Sequence, residues 1–252
     1  MSILLLDIGN TNTHLGLANS SRVTRQADIP TSAWRDGQAK KLLAAFAGKT
    51  LLDGAALCSV VPKATRAAHR VVRLLGKVNC LELTPKTLVG IGMDYPKPRT
   101  IGPDRLANAV AAHHHFGAPV VSVDFGTAVT FEVINSEGKF VGGIIAPGLA
   151  AMTDYLHEKT ALLPRIKIQD PGTAIGKSTE QAMQIAAVAG FRGLIRELLV
   201  ELKRELKSPH LPVVATGSYA KLMAANLPEI TAIEPRLTHE GLRLVWFGRK
   251  GS

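Results

Sequence analysis

The first thirty residues of the chain break into short apolar stretches at a spacing that suits strands. The run from Ile3 closes on Asp7, Ile8 and Gly9, a polar stretch follows, and residues 13–19 and 22–28 return to strand-like composition. Connections this short predict antiparallel hairpins. The period then lengthens. It predicts a helix over about 32–47 capped by Thr31 or Ser32, a strand over 54–60, a helix over 63–75 closed by Gly76, and a strand over 78–83. The segment RLANAVAAHHH predicts a helix that starts near Pro103.

From residue 119 the same order begins again. Strands are expected over 119–124 and 128–134, a turn with Gly138 over 135–139, and a third strand in FVGGIIA. A helix over 148–158 follows, then a long helical stretch over 178–206. A strand over 212–216, a helix over 218–226, a short strand near 230–234 and a helix over 238–248 complete the pattern. LLLDIGNTNTHLGLA and VSVDFGTAVTFEV share an apolar run, an Asp, an apolar residue, a Gly, hydrogen-bonding residues and a second strand. A long repeat that occurs twice marks a duplicated domain and not a solenoid. The expectation is an α/β protein of two lobes with similar topology, residues 1–116 and 117–252, with the last helix able to pack back on the first lobe.

Composition narrows the class. The chain has 252 residues, of which 46% are apolar and 20% charged, as in a soluble globular protein. No apolar run approaches the roughly 18 residues of a membrane span. The N-terminus lacks the basic and apolar regions of a signal peptide. Cys58 and Cys80 sit in apolar, strand-like segments, as buried thiols do. Together these point to the cytoplasm and away from a membrane. The net charge of +10 fits a polyanionic partner, small anionic substrates or simply a basic solvated surface. The densest basic pieces are Lys63 to Arg73, Lys203 to Lys207 and the tail Arg249-Lys250, mostly on polar faces of predicted helices. With no helix-turn-helix pattern, zinc spacing or basic arm, nucleic acid is not an expected partner.

The two turns carry the candidate chemistry. Gly9 and Gly126 permit a sharp turn and close approach to a ligand. Backbone N–H groups in such a turn form a concavity for anions, and Thr11, Thr13, Thr127 and Thr130 add hydroxyls. Asp7 and Asp124 would repel a phosphate directly but suit a cation that sits on phosphates. One such turn is an ordinary hairpin feature. Two, at matching places in a repeat, point to a nucleotide polyphosphate.

Asp7-Ile8-Gly9-Asn10-Thr11, Asp124-Phe125-Gly126-Thr127-Ala128 and GGIIAPG over Gly142 to Gly148 resemble the actin-like ATPase and sugar-kinase superfamily. GPDR at Gly102 to Arg105, GKST at Gly176 to Thr179 and the closing EPRLTHEGL resemble type III pantothenate kinases more specifically. The resemblance runs nearly end to end, with the motifs in order. It implies duplicated ribonuclease-H-like lobes with a nucleotide cleft between them, and transfer of the γ-phosphoryl group of ATP to pantothenate at the first step of coenzyme A synthesis. It also implies ATP and phosphate contacts from Asp7, Ile8, Gly9, Asn10, Thr11, Asn12, Thr13, Gly126 and Thr127. Asp7 would hold Mg²⁺ through water and Asp124 a monovalent cation, K⁺ or NH₄⁺. Pantothenate would meet Tyr95, Gly102, Pro103, Asp104, Arg105 and Thr179, with Asp104 as catalytic base. Members are homodimers, and the 178–206 helix, with Ile185, Val188, Ala189, Leu194 and Leu198, is either an interface or a core helix. Some relatives are described as accessory transcription factors, which is the alternative role.

Several of these residues have a plainer reading beside the functional one. Asp104 is also an early-turn acid favoured by the helix dipole, and Arg105 a surface arginine. Tyr95 suits packing as well as contact, and Ser178 or Thr179 suits a helix cap. Ser218 stands in ATGSYA where the family usually has a second glycine. Val129 and Glu132 stand where Thr and Asp are common. GKST lacks the spacing of a Walker A loop. Three consecutive histidines, His113 to His115, point about 100° apart on a helix and cannot chelate one ion.

Overall fold

A computed structural model describes residues 1–76 and 78–249, so Lys250 of the basic tail lies outside the described residues. The chain forms two compact units, Met1–His115 with Arg236–Ser252, and Phe116–Pro235.

In the first unit the strands are β1 (Ile3–Ile8), β2 (Asn12–Ala18), β3 (Val23–Pro30), β4 (Gly54–Ser59) and β5 (Cys80–Glu82), in the sheet order β3-β2-β1-β4-β5. The two hairpins are antiparallel, and β1-β4 and β4-β5 are parallel. Alternation sorts the two faces. Leu4, Leu6, Ile8, Leu15, Leu17 and Leu57 form one core with Leu43 of α1 (Ala39–Ala47) and Ala64, Ala68 and Val72 of α2 (Pro62–Gly76). The four-residue spacing of those last three sets the buried stripe of α2, and Lys63, Arg66, Arg70 and Arg73 lie exposed. Asp7, His14 and Cys58 occupy registered positions with the opposite alternation. A two-residue strand β6 (Gly92–Met93) precedes α3 (Pro103–Phe116), which buries every residue from Leu106 to Ala112. That is why its middle is mostly alanine. The last helix, α8 (Leu237–Gly248), packs on β1 and β4, and Gly241 lies against the Ala107 backbone where a Cβ has no room.

The second unit repeats the plan. Its strands β7 (Val120–Phe125), β8 (Ala128–Ile134), β9 (Lys139–Pro147), β10 (Val213–Thr216) and β11 (Ala232–Ile233) run in the order β11-β10-β7-β8-β9. Again two antiparallel hairpins precede parallel strands. Phe191, Ile195 and Leu199 recur every four residues along α6 (Phe191–Glu205) and meet Val121, Val123, Phe125, Val129 and Phe131 in its core. The fold is therefore α/β with duplicated ribonuclease-H-like lobes, each a third-second-first-fourth-fifth sheet.

Two expected helices differ. The 32–47 helix is a 3₁₀ turn (Thr31–Trp34) followed by α1, because Gly37 at φ +74° breaks the spiral. The 178–206 helix is α5 (Thr179–Ile185), a π turn (Ala186–Gly190) and α6. Val188 of that stretch is fully buried and Leu198 packs on the core of its own unit. Of the five residues named for an interface, Ala189 and Leu194 are exposed.

Candidate active site

The turn between β1 and β2 is held from inside. Gly9 N–H donates to the Asn12 carbonyl at 3.0 Å, closing the turn. Thr31 N–H donates to the Thr11 carbonyl at 3.0 Å, and its Oγ1 donates to the Gly9 carbonyl at 2.7 Å. Thr13 is fully buried; its Oγ1 lies 3.0 Å from Thr31 Oγ1 and accepts from Trp34 Nε1 at 2.9 Å. The hydroxyl of Thr13 is thus spent on bracing the turn, and the Ile8 side chain is in the core. That leaves Asn10, Thr11 and Asn12 as the exposed side chains of the loop. A cavity of about 500 Å³ beside Asn10 and Thr11 is lined by Thr31, Trp34, Val61 and Ala64 and by the basic side chains of Arg35 and Lys63.

Asp7 stands at the end of β1 beneath this loop. Burial pushes its carboxyl up to about 6. His14 and the Cys58 thiol, which donates to Asp7 Oδ1 at 3.4 Å, pull the value back, whereas Asp104 and Asp28 push it further up. His14 itself pairs with Asp28 at 2.7 Å. Asp104 follows Pro103 in the first turn of α3, where its Oδ1 accepts the Arg105 N–H at 2.9 Å. Burial raises the Asp104 carboxyl, against the pull of the Arg105 amide and guanidinium. The first unit therefore brings two carboxylates, Asp7 and Asp104, within electrostatic reach of each other. Gly102, Pro103 and Arg105 are half-buried beside Asp104, and Tyr95 is half-buried in the irregular segment after β6.

In the second unit the matching turn is tighter. Gly126 N–H donates to the Ala128 carbonyl, and Gly148 N–H to the Thr127 carbonyl, both at 3.1 Å. A Cβ on Gly148 would stand 2.5 Å from the Gly126 carbonyl oxygen, so only glycine fits at this N-cap of α4 (Leu149–Lys159). Gly217, at φ +89°, packs so closely that its Cβ would lie 2.5 Å from Asp124 Oδ1. Asp124, Gly126, the exposed Thr127, Gly148 and Gly217 thus gather at one end of this sheet. Gly217 alone takes the left-handed conformation in its turn, so Ser218 fits there without strain. Val129 is fully buried in the core, so a threonine there would face away from the turn. Glu132 is fully buried and accepts from Ser122 Oγ at 2.7 Å. Ser178 is the cap of α5, accepting from Gln181 N–H at 3.2 Å. Thr179 is the next residue and exposed, so cap and candidate contact fall on different side chains. Among the described residues no three His, Cys, Asp or Glu side chains gather in metal-holding geometry.

The family model for type III pantothenate kinase matches residues 3–201. A type III pantothenate kinase of Akkermansia muciniphila is 44% identical over 245 residues, 97% of this chain and 98% of that protein. The chain belongs to the type III pantothenate kinase family. A second family member, from Methylacidiphilum infernorum, is 40% identical over 96% of this chain and 87% of its own length. A solved Baf family structure from Campylobacter jejuni superposes with a TM-score of 0.65 at 18% identity, over 99% of this chain and all of that one. A ROK hexokinase from Thermus thermophilus gives 0.52 at 13% identity, covering both chains fully. These two likenesses concern the fold, which this kinase family shares with sugar kinases. Sequence reasoning missed Cys58, Trp34 and Thr31 as supports of the β1–β2 turn and of Asp7 beneath it. Their partners lie far along the chain, and only the registers of β1, β2 and β4 bring them together.

Proposed function

We propose that the protein transfers the γ-phosphoryl group of ATP to the primary hydroxyl of pantothenate, with Asp104 as the base. The observation that carries the assignment of roles is the burial of Asp104 in the first turn of α3, near enough to Asp7 for its charge to raise that carboxyl. A partly desolvated carboxylate accepts a hydroxyl proton more readily than one in water, because burial disfavours its charge. Arg105 binds the pantothenate carboxylate, for which its forked donors are suited. Tyr95, Gly102, Pro103 and Thr179 complete the pantothenate contacts. Asn10, Thr11 and Asn12 and the N–H groups of their loop bind phosphate oxygens, and Gly126 and Thr127 of the repeated turn are phosphate contacts too.

The donor sets fit the cations this chemistry uses. Asp7 is a carboxylate whose charge is penalised by burial, and a nearby Mg²⁺ on the ATP phosphates would relieve that penalty. Asp124 lies against Gly126 and Gly217, where carboxylate and backbone oxygens suit a hard monovalent cation such as K⁺ or NH₄⁺. When bound, the cations neutralise the polyphosphate. The protein residues align the hydroxyl with the phosphorus, remove its proton at Asp104 Oδ and hold the oxygens in place. We propose a cytoplasmic homodimer without a nucleic-acid partner. Leu194 and Val200 of α6 each expose an apolar side chain, and no helix among the described residues is long and apolar enough to cross a membrane. Incubation with ATP, Mg²⁺, pantothenate and either K⁺ or Na⁺ tests the reading. ADP and phosphopantothenate should appear in equal amounts, faster with K⁺. ADP release that ignores pantothenate would refute it.

A further inference from the structure

Between Thr160 and Ser178 the second unit has no helix or strand, yet this strap delivers Thr179. Its ends are tied by His157 Nδ1 to the Leu163 carbonyl at 3.0 Å and by the Lys177 N–H to Gln181 Oε1 at 2.9 Å, and three further contacts hold its middle. Gln184, 3% exposed, donates from Nε2 to the Lys167 carbonyl at 3.1 Å. Ile168 packs on the core. Arg192, 7% exposed, donates from Nη1 to Asp170 Oδ2 at 2.6 Å. Asp170 Oδ1 accepts the Gly172 N–H at 3.0 Å, and Gly172 then turns the chain at φ +66° towards Thr179. These two bonds, the amide first, hold the Asp170 carboxyl below its ordinary value.

The rest of the guanidinium points elsewhere. Nη2 donates to the Leu222 carbonyl at 2.6 Å and Nε to the Met223 carbonyl at 3.4 Å. Both carbonyls belong to α7 (Ala220–Ala224), which begins directly after the turn Thr216–Tyr219. That turn is fastened to β7, since Tyr219 N–H donates to the Phe125 carbonyl at 3.3 Å and Gly217 packs on Asp124. One planar fork therefore joins the strap that leads to Thr179 and the helix that follows the turn beside Asp124. The π turn makes this possible. In an unbroken helix Gln184 and Arg192 would point about 80° apart; absorbing one residue brings them within about 20°.

An ion pair whose carboxylate is this open to solvent adds little to stability. Lysine, a point charge, cannot make the three divergent bonds. We infer that Arg192 is a positioning residue that fixes the Thr179 strap and the Thr216–Tyr219 turn relative to each other, so that the acceptor and the nucleotide-side turn keep one spacing. The inference rests on the reading that Thr179 contacts pantothenate.

The test uses the full chain, with KM for pantothenate and for ATP, kcat and Tm measured for Asp170→Asn, Arg192→Lys and Thr179→Ala. Asp170→Asn should raise the pantothenate KM about tenfold and leave kcat within about threefold and the ATP KM unchanged. Arg192→Lys should raise both KM values, and adding Asp170→Asn to it should worsen the pantothenate KM no further. A folded Asp170→Asn protein with both KM values unchanged overturns the inference, as does an Arg192→Lys protein that loses Tm alone. Asp170 is partly exposed, so its variant keeps the test open if Arg192→Lys does not fold. An unchanged pantothenate KM in Thr179→Ala would instead remove the underlying contact, whatever Arg192 does.

Discussion

Replacing Asp7 by asparagine should stabilise the metal-free protein while disabling it. Burial lifts the Asp7 carboxyl from 3.8 to about 6, so the folded state binds its proton more tightly than the unfolded state does. The folded state therefore holds more protons between those values, and stability falls as pH rises through that window. Above it, the charged side chain costs about 2–3 kcal/mol at roughly 1.4 kcal/mol per unit, the lower figure allowing for solvent that reaches a partly exposed carboxylate. Asparagine is neutral, nearly isosteric, and still accepts the Cys58 thiol through Oδ1. For a chain of this size each kcal/mol moves Tm by about 2–4 °C, so Asp7→Asn should melt about 4–12 °C higher at pH 8 in chelator. The gap should close near pH 4. Thermal melts of both proteins across pH 4–8, with activity at pH 8, are the assay. An Asp7→Asn protein that is no more stable at pH 8, or equally more stable at both pH values, would refute the reasoning.

Thr13→Val keeps the shape of a buried residue but strips the Trp34 indole N–H of its acceptor. It should cost about 2 kcal/mol in thermal denaturation and raise the KM for ATP, because the same hydroxyl cluster braces the loop. Gly217→Ala demands a left-handed alanine with its Cβ 2.5 Å from Asp124 Oδ1. A stability cost of about 1–3 kcal/mol, read as a lower Tm, and a loss of K⁺ activation should both appear, and a variant with unchanged Tm and K⁺ activation would refute the packing.

Much of the fold was legible because β1 and β7 each end in an Asp and an apolar residue followed by Gly, and because the connections joining β1, β2 and β3 are short. The Thr31–Trp34 turn was not, since its residues favour a helix by pattern and are held out of one by bonds to Gly9, Thr11 and Thr13. That Thr13 faces inward was not legible, because nothing local says which way a strand residue faces until the register is known. The break in the 178–206 helix was hidden for a related reason. AAVAG carries no proline or polar interruption, and the π turn serves contacts made by Gln184 and Arg192 to residues elsewhere in the chain. Ser178 and Thr179 were indistinguishable as caps until the Gln181 bond chose the first.

In the proposed mechanism Asp104 takes the hydroxyl proton. Steady-state phosphorylation of pantothenate by Asp104→Asn, with circular dichroism and Tm to confirm folding, measures this directly. The expected result is a kcat lower by about 10²–10⁴-fold with nucleotide affinity preserved. A folded Asp104→Asn protein that keeps kcat within a few-fold of the native enzyme would contradict it.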